Sequence, residues 1–257
     1  MNILGQWIAF KTIVYREIRR FLRIWIQTLV PPAITIALYF VIFGSLIGSR
    51  IGDMGGFDYM QFVVPGLIMM AIIQNSYGNV VSSFFGTKFQ RNIEEMLVSP
   101  VKDITILLGF VVGGMVRGLL VGGIVTLLAL FFTDLNVHNW WVTISMVFLT
   151  ALVFSLAGFI NAIFAESFDD ISIIPTFVLT PMIYLGGVFY SVDLLPNFWA
   201  NVSLINPILY MVNGFRFGIL GASDVGLLHA YIMLILFVVV GFSTSLYLLT
   251  RAEKLRS

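Results

Sequence analysis

Few side chains in this sequence are equipped for chemistry. There is no cysteine, so no disulfide, thiolate nucleophile or Cys-based metal site can form. The two histidines, His138 and His229, lie far apart in sequence and make a poor start for a metal cluster. Adjacent Asp169 and Asp170 read as a solvated loop and a helix N-cap before Ile171 rather than as metal ligands. A phosphate-binding loop needs G-x-x-x-x-G-K-[ST]. Gly86-Thr87-Lys88 lacks the upstream glycine, because position 81 is Val81. No serine sits in a nucleophile elbow. Neither a catalytic group nor a metal is expected in this chain.

Two constellations remain. Arg117 sits in Gly113-Gly114-Met115-Val116-Arg117-Gly118 with Gly122 beyond, inside a long apolar run. An arginine there costs roughly 2.5–3.5 kcal/mol on insertion scales and must face a partner or a wet cavity. It either lines a path or bonds a carbonyl of a neighbouring helix. Gly114, Gly118 and Gly122 repeat every four residues, a pattern that lets helix backbones approach closely. The second constellation, Lys88 to Val98, mixes charge with Phe89, Ile93, Met96 and Leu97 at roughly helical spacing, and Pro100 stops it. Such a helix either docks on a partner or lies on its own membrane domain.

The elements that position these residues follow from hydropathy. The chain of 257 residues is 59% hydrophobic and 11% charged, against about 45–50% and about 25% in soluble domains. That surplus needs a bilayer as solvent. Apolar runs predict six spans, at 24–47, 59–85, 104–132, 141–164, 171–190 and 226–250. No short hydrophobic core followed by a cleavage site opens the chain, so the first run is expected to remain an anchor. Eleven of the fourteen Lys/Arg fall before residue 24, within 86–103, or after Thr250. That excess places both termini in the cytoplasm. Trp7, Phe10, Val14, Ile18, Phe21 and Trp25 recur at helical spacing with basic residues between them, which predicts an amphipathic interfacial helix over 1–23. Between the last two spans, 191–225 is too apolar for a free loop. Pro196, Pro207 and Gly214 divide it into pieces too short to span, which predicts an outer re-entrant helical segment. The fold class is an all-α membrane protein with six transmembrane helices.

Three stretches carry a resemblance. They are Arg91 through Pro100, Pro181-Met182-Ile183-Tyr184-Leu185-Gly186-Gly187-Val188-Phe189-Tyr190, and Leu194-Leu195-Pro196 through Asn206-Pro207 to Arg216. The chain resembles, over nearly its whole length, the ABC-2 type permeases, in particular those of the inner membrane of Gram-negative bacteria. Ser191 departs from the pattern, since many members have proline there.

The resemblance implies a single transmembrane domain over 1–257 in a bacterial plasma membrane, paired with a second copy of itself and with a separate ATP-binding-cassette ATPase. ATP and Mg would belong to that partner, the remaining partners would be membrane lipids, and no nucleic acid is expected. It also implies that 86–103 is a coupling loop. There Lys88, Phe89, Arg91, Ile93, Glu94, Glu95 and Met96 would meet the ATPase, the carboxylates facing polar groups and the apolar residues buried. The helix around Arg16, Glu17 and Arg19 would touch the ATPase as well. Pathway or packing candidates are Arg117, Gly114 and Gly118 together with Phe40, Phe43, Phe177, Tyr184 and Phe189. The expected function is ATP-driven export of an amphiphilic or lipid- or glycan-like cargo by alternating access. A proton-driven secondary transporter, which would usually carry an acid or histidine inside a span, and a non-transporting scaffold are the alternatives.

Overall fold

The computed structural model describes residues 2–251. Lys254 and Arg256, two of the basic residues counted after Thr250, lie outside them. The chain opens with α1, Ile3–Arg23, capped by Asn2, whose side chain accepts the Gly5 amide at 2.9 Å. Thr28 closes this helix by donating its hydroxyl to Phe21 O. A second helix, α2, runs from Trp25–Gly48. It is α-helical over Val30–Tyr39 and π-helical over Phe40–Gly48. A two-residue hairpin follows, with β1 (Asp53–Met54) antiparallel to β2 (Phe57–Asp58). Gly55 and Gly56 both take positive φ, as a turn matched to strand twist requires. Asp58 then caps α3, Tyr59–Phe89, by accepting the Met60 amide.

The centre of the molecule is α3 packed against α5 (Asp103–Ala129) and α6 (Trp140–Phe164). Between α3 and α5 lies the short α4, Asn92–Val98. Close packing of the centre comes from glycine. A Cβ on Gly114, Gly118 or Gly122 of α5 would strike Val80, Ser76 or Ile72 of α3, and one on Gly158 of α6 would strike the Tyr77 carbonyl. A second face of α5 receives α1, with Gly109 against Ile13 and Gly113 against Glu17. Gln6, Ile13 and Glu17 thus meet Thr105, Gly109 and Gly113 in order, and α1 runs alongside the start of α5 in the same direction. Part of the stripe expected to enter the membrane interface is therefore taken up by the protein, and Phe21 is fully buried.

Among the described residues four helices are long and apolar enough to cross a membrane: α2, α5, α6, and α10 (Leu227–Arg251). α3 has the length, but Gln74, Asn75 and Asn79 dilute its apolar character. The expected fifth span, 171–190, is helical as α7 only over Asp170–Tyr184. Gly187 at φ +69° turns the chain back before Tyr190. Two helices follow, α8 (Asn197–Ile205) and α9 (Pro207–Leu220), delimited by Pro196, Asn206-Pro207 and the left-handed Gly221. Gly214 does not break α9 as its residue type suggested. It sits within the helix and lets it close on Met146 of α6.

Candidate coupling end and outer aromatic cluster

At one end of the α3–α5–α6 core, α3 stops at Phe89 and the chain reverses into α4 through Arg91, the one non-glycine residue among those described with positive φ (61°). Ile93 anchors α4 by burying completely within the chain, so it is not free to enter a partner as expected. Met96 and Leu97 pack partly against the same core. Glu94 and Glu95 stay exposed beside Arg91. Phe89 is 61% exposed, with its ring 5.0 Å from Phe168. Lys88 points inward: its Nζ donates to Ile163 O and Ala165 O, both at 2.9 Å, and so closes the end of α6. Ser167 and Asp170 form a reciprocal box at the start of α7. The backbone amides of Glu166 and Ser167 hold the Asp170 carboxyl below the usual carboxylate range.

Gln6 ties α1 to this end through Pro100 O, the Lys102 amide and Thr105. Arg16 and Arg19 are exposed, but they lie ten and thirteen residues further along α1, about 15–20 Å up the helix. Glu17 is 1% exposed and faces inward, paired with Arg16 and Arg20 at 3.4 and 3.5 Å. Burial removes Glu17 from any ATPase-facing surface. Its place on one stripe with Ile13 and Phe21, four residues either side, was the sequence signal for this. Arg20 donates to Asn79 O and Oδ1 of α3 at 3.1 and 2.9 Å. Nearby, Arg117 Nη2 donates to Thr28 O at 3.3 Å. The carbonyl bond foreseen for Arg117 is thus present, fastening α5 to the junction of α1 and α2.

At the opposite end of the core, the expected path aromatics divide. Phe43, Tyr184 and Phe189 come together: Phe189 lies 4.8 Å from Phe43 and 5.8 Å from Tyr184, centroid to centroid. Tyr39 completes the group, 5.9 Å from Phe189 and with its hydroxyl 3.4 Å from that of Tyr184. Its position four residues before Phe43 could have revealed it. Phe40 is fully buried instead, against Phe132, and Phe177 is 74% exposed and apart from the cluster.

The turn that carries Phe189 is held by Arg216, which falls within the segment 191–225 expected to be re-entrant and helical. Arg216 lies inside α9 and is 1% exposed. Its guanidinium donates to Gly187 O at 2.6 Å, Phe62 O at 3.3 Å and Asn213 Oδ1 at 3.2 Å, and stacks 3.8 Å over the Phe62 ring. Tyr59 adds a bond to Phe189 O. Asp224 accepts the Val192 amide and donates its own amide to Asn213. A Cβ on Gly66 would meet Val188 O at 2.6 Å, so the turn rests directly on α3.

Long apolar helices around a glycine-packed core, with an exposed short helix at one end and an aromatic group at the other, define a multi-helix membrane domain. Comparison with known proteins gives the class. The description ABC-2 type transporter matches residues 8–220, and the chain belongs to that family. It is 58% identical over 251 residues to the inner membrane transport permease YadH of Escherichia coli K12, covering 98% of each chain. It is 25% identical over 218 residues to nodulation protein J of Rhizobium leguminosarum bv. trifolii, covering 83% of this chain and 82% of that one. The protein is accordingly a transporter permease subunit.

Proposed function

We propose that this chain is the membrane half of an ATP-driven exporter. It crosses the inner membrane six times with both termini cytoplasmic, pairs with a second copy of itself, and is moved by a separate ATPase that holds the ATP and Mg. Membership of the family supports the separate ATPase. The observation that carries the coupling assignment is α4. It is a short helix anchored to the core by buried Ile93, entered through a strained left-handed residue, and free to present Glu94 and Glu95. A displacement of α4 by a partner would pass into α3 through Arg91, and into α6 through Lys88.

In this reading Phe89, Arg91, Glu94, Glu95 and Met96 form the docking surface, and α8 and α9 fold back into the outer leaflet. The cluster of Tyr39, Phe43, Tyr184 and Phe189 lines the outer part of a path that opens when the ATPase closes on ATP. ATP binding drives this only by favouring one arrangement of the helices over another. Aromatic faces suit an amphiphilic, lipid- or glycan-like cargo.

The test is purification in mild detergent with identification of the co-purifying protein and an ATPase assay. A stoichiometric P-loop ATPase is expected, and E94K/E95K should lower its association and uncouple hydrolysis from export. Normal assembly and export by that variant would show the docking assignment to be wrong.

A further inference from the structure

One surface outside both sites joins charge to an apolar groove. The second half of α1 lines an open recess of about 1360 Å³, with Tyr15, Arg16, Arg19, Arg20 and Arg23 in its wall. Among the described residues this wall carries four arginines and no carboxylate. Arg16 and Arg20 pair with Glu17, while Arg19 and Arg23 are exposed and have no ion-pair partner among the described residues. The recess ends at Ile24, and at Trp25 a second groove of about 360 Å³ begins. It lies between α2 and α5, is almost wholly apolar, and is walled by Trp25, Leu29, Ala33 and Ala37 on one side and Ile124 and Leu128 on the other. From Trp25 to Ala37 the helix rises about 18 Å, a little over half of the ~30 Å hydrocarbon core.

We propose that recess and groove together bind one anionic phospholipid of the cytoplasmic leaflet. Its phosphate sits among Arg16, Arg19 and Arg23, and one acyl chain runs up the groove past Trp25 to Ala37. Guanidinium groups match phosphate in geometry as well as charge, and basic pockets at the cytoplasmic ends of membrane helices hold acidic headgroups. A free anion would leave the groove unfilled, and a neutral lipid would leave Arg19 and Arg23 without counter-charge. The proposal rests on the cytoplasmic placement of α1 in the reading above, but not on the ATPase or the cargo. The bound lipid would brace the junction of α1 and α2, which Arg117 fastens from the other side.

The experiment uses the full chain in phosphatidylcholine vesicles doped with acyl-brominated phosphatidylglycerol or acyl-brominated phosphatidylcholine. Quenching of Trp25 is read as the difference between wild type and W25F. Brominated phosphatidylglycerol is expected to quench at the lower mole fraction. R19Q/R23Q should weaken that preference by about fivefold per arginine removed, and R19K/R23K should restore most of it. A33F, which fills the groove, should reduce quenching by either lipid. Equal quenching by the two lipids, or an unchanged preference in R19Q/R23Q, would overturn the proposal. An anion site alone would give equal quenching by the two lipids in sodium phosphate and in chloride of equal ionic strength, and would likewise overturn it. Neither ATPase nor export enters the readout, so a failed exporter assay leaves this result untouched.

Discussion

Arg216 shows how much one side chain can organise. Its planar fork reaches two backbone carbonyls from distant parts of the chain, Phe62 in α3 and Gly187 in the turn after α7, while the Phe62 ring covers its face. Hydrogen bonds from charged groups contribute about 1.5–3 kcal/mol each. R216Q is therefore expected to lower stability by on the order of 3 kcal/mol, seen as an earlier thermal unfolding midpoint in detergent. R216K should fall between, since lysine keeps the charge but not the fork. From sequence this residue falls in a short helical piece after Pro207, but its role is not legible there. Its partners lie 154 and 29 residues away, and no local pattern links them. Arg117 was different, because it stands inside an unmistakable span and its need for a partner could be stated in advance.

At the level of elements, glycine decides which helices meet. α5 carries two smooth faces, Gly109 and Gly113 towards α1, and Gly114, Gly118 and Gly122 towards α3. A methyl on Gly118 would collide with Ser76 Oγ and come within 3.1 Å of Ile72 O. G118A is expected to cost about 1–3 kcal/mol through overpacking. S76A/G118A should recover part of that loss, and a double-mutant cycle in thermal unfolding would measure the coupling. The four-residue spacing announced the second face. The first escaped because Gly109 and Gly113 gain meaning only once Ile13 and Glu17 lie against them. Helix boundaries were legible wherever apolar length was decisive, as in α5, α6 and α10. They failed at α7, where Leu185-Gly186-Gly187 ends the helix inside an apolar run.

Over the whole molecule, burial is uneven. α3, α5 and α6 form a closed core, while α2 and α10 lie largely exposed and α7 presents Ile173, Phe177 and Val178 outward. α2, α7 and the turn after α7 also carry the aromatic cluster, α2 and α7 hold the two π-helical segments among the described residues, and wide winding of this kind is frequent at functional sites. If the chain pairs with a second copy as proposed, that copy is expected to cover this side. The absence of cysteine makes the test direct. F177C should cross-link two copies on oxidation, whereas V239C, on the exposed side of α10, should not. Monomeric F177C under the same oxidation would place the dimer contact elsewhere.

The length of α3 has a further consequence. Its thirty-one residues extend about 46 Å, whereas the hydrocarbon layer is about 30 Å thick. In the six-span reading proposed above, with Tyr59 at the outer boundary and modest tilt, some 15 Å of helix would project below the inner one. That part holds Ser82, Ser83, Thr87 and Lys88 together with Val80, Val81, Phe84 and Phe85, which the neighbouring helices bury. α5 and α1 flank it, and in that reading the whole would form a short stalk. A motor gripping α4 at its foot would then hang clear of the headgroups, and the gap would leave the recess along α1 open from the side even in the assembled transporter.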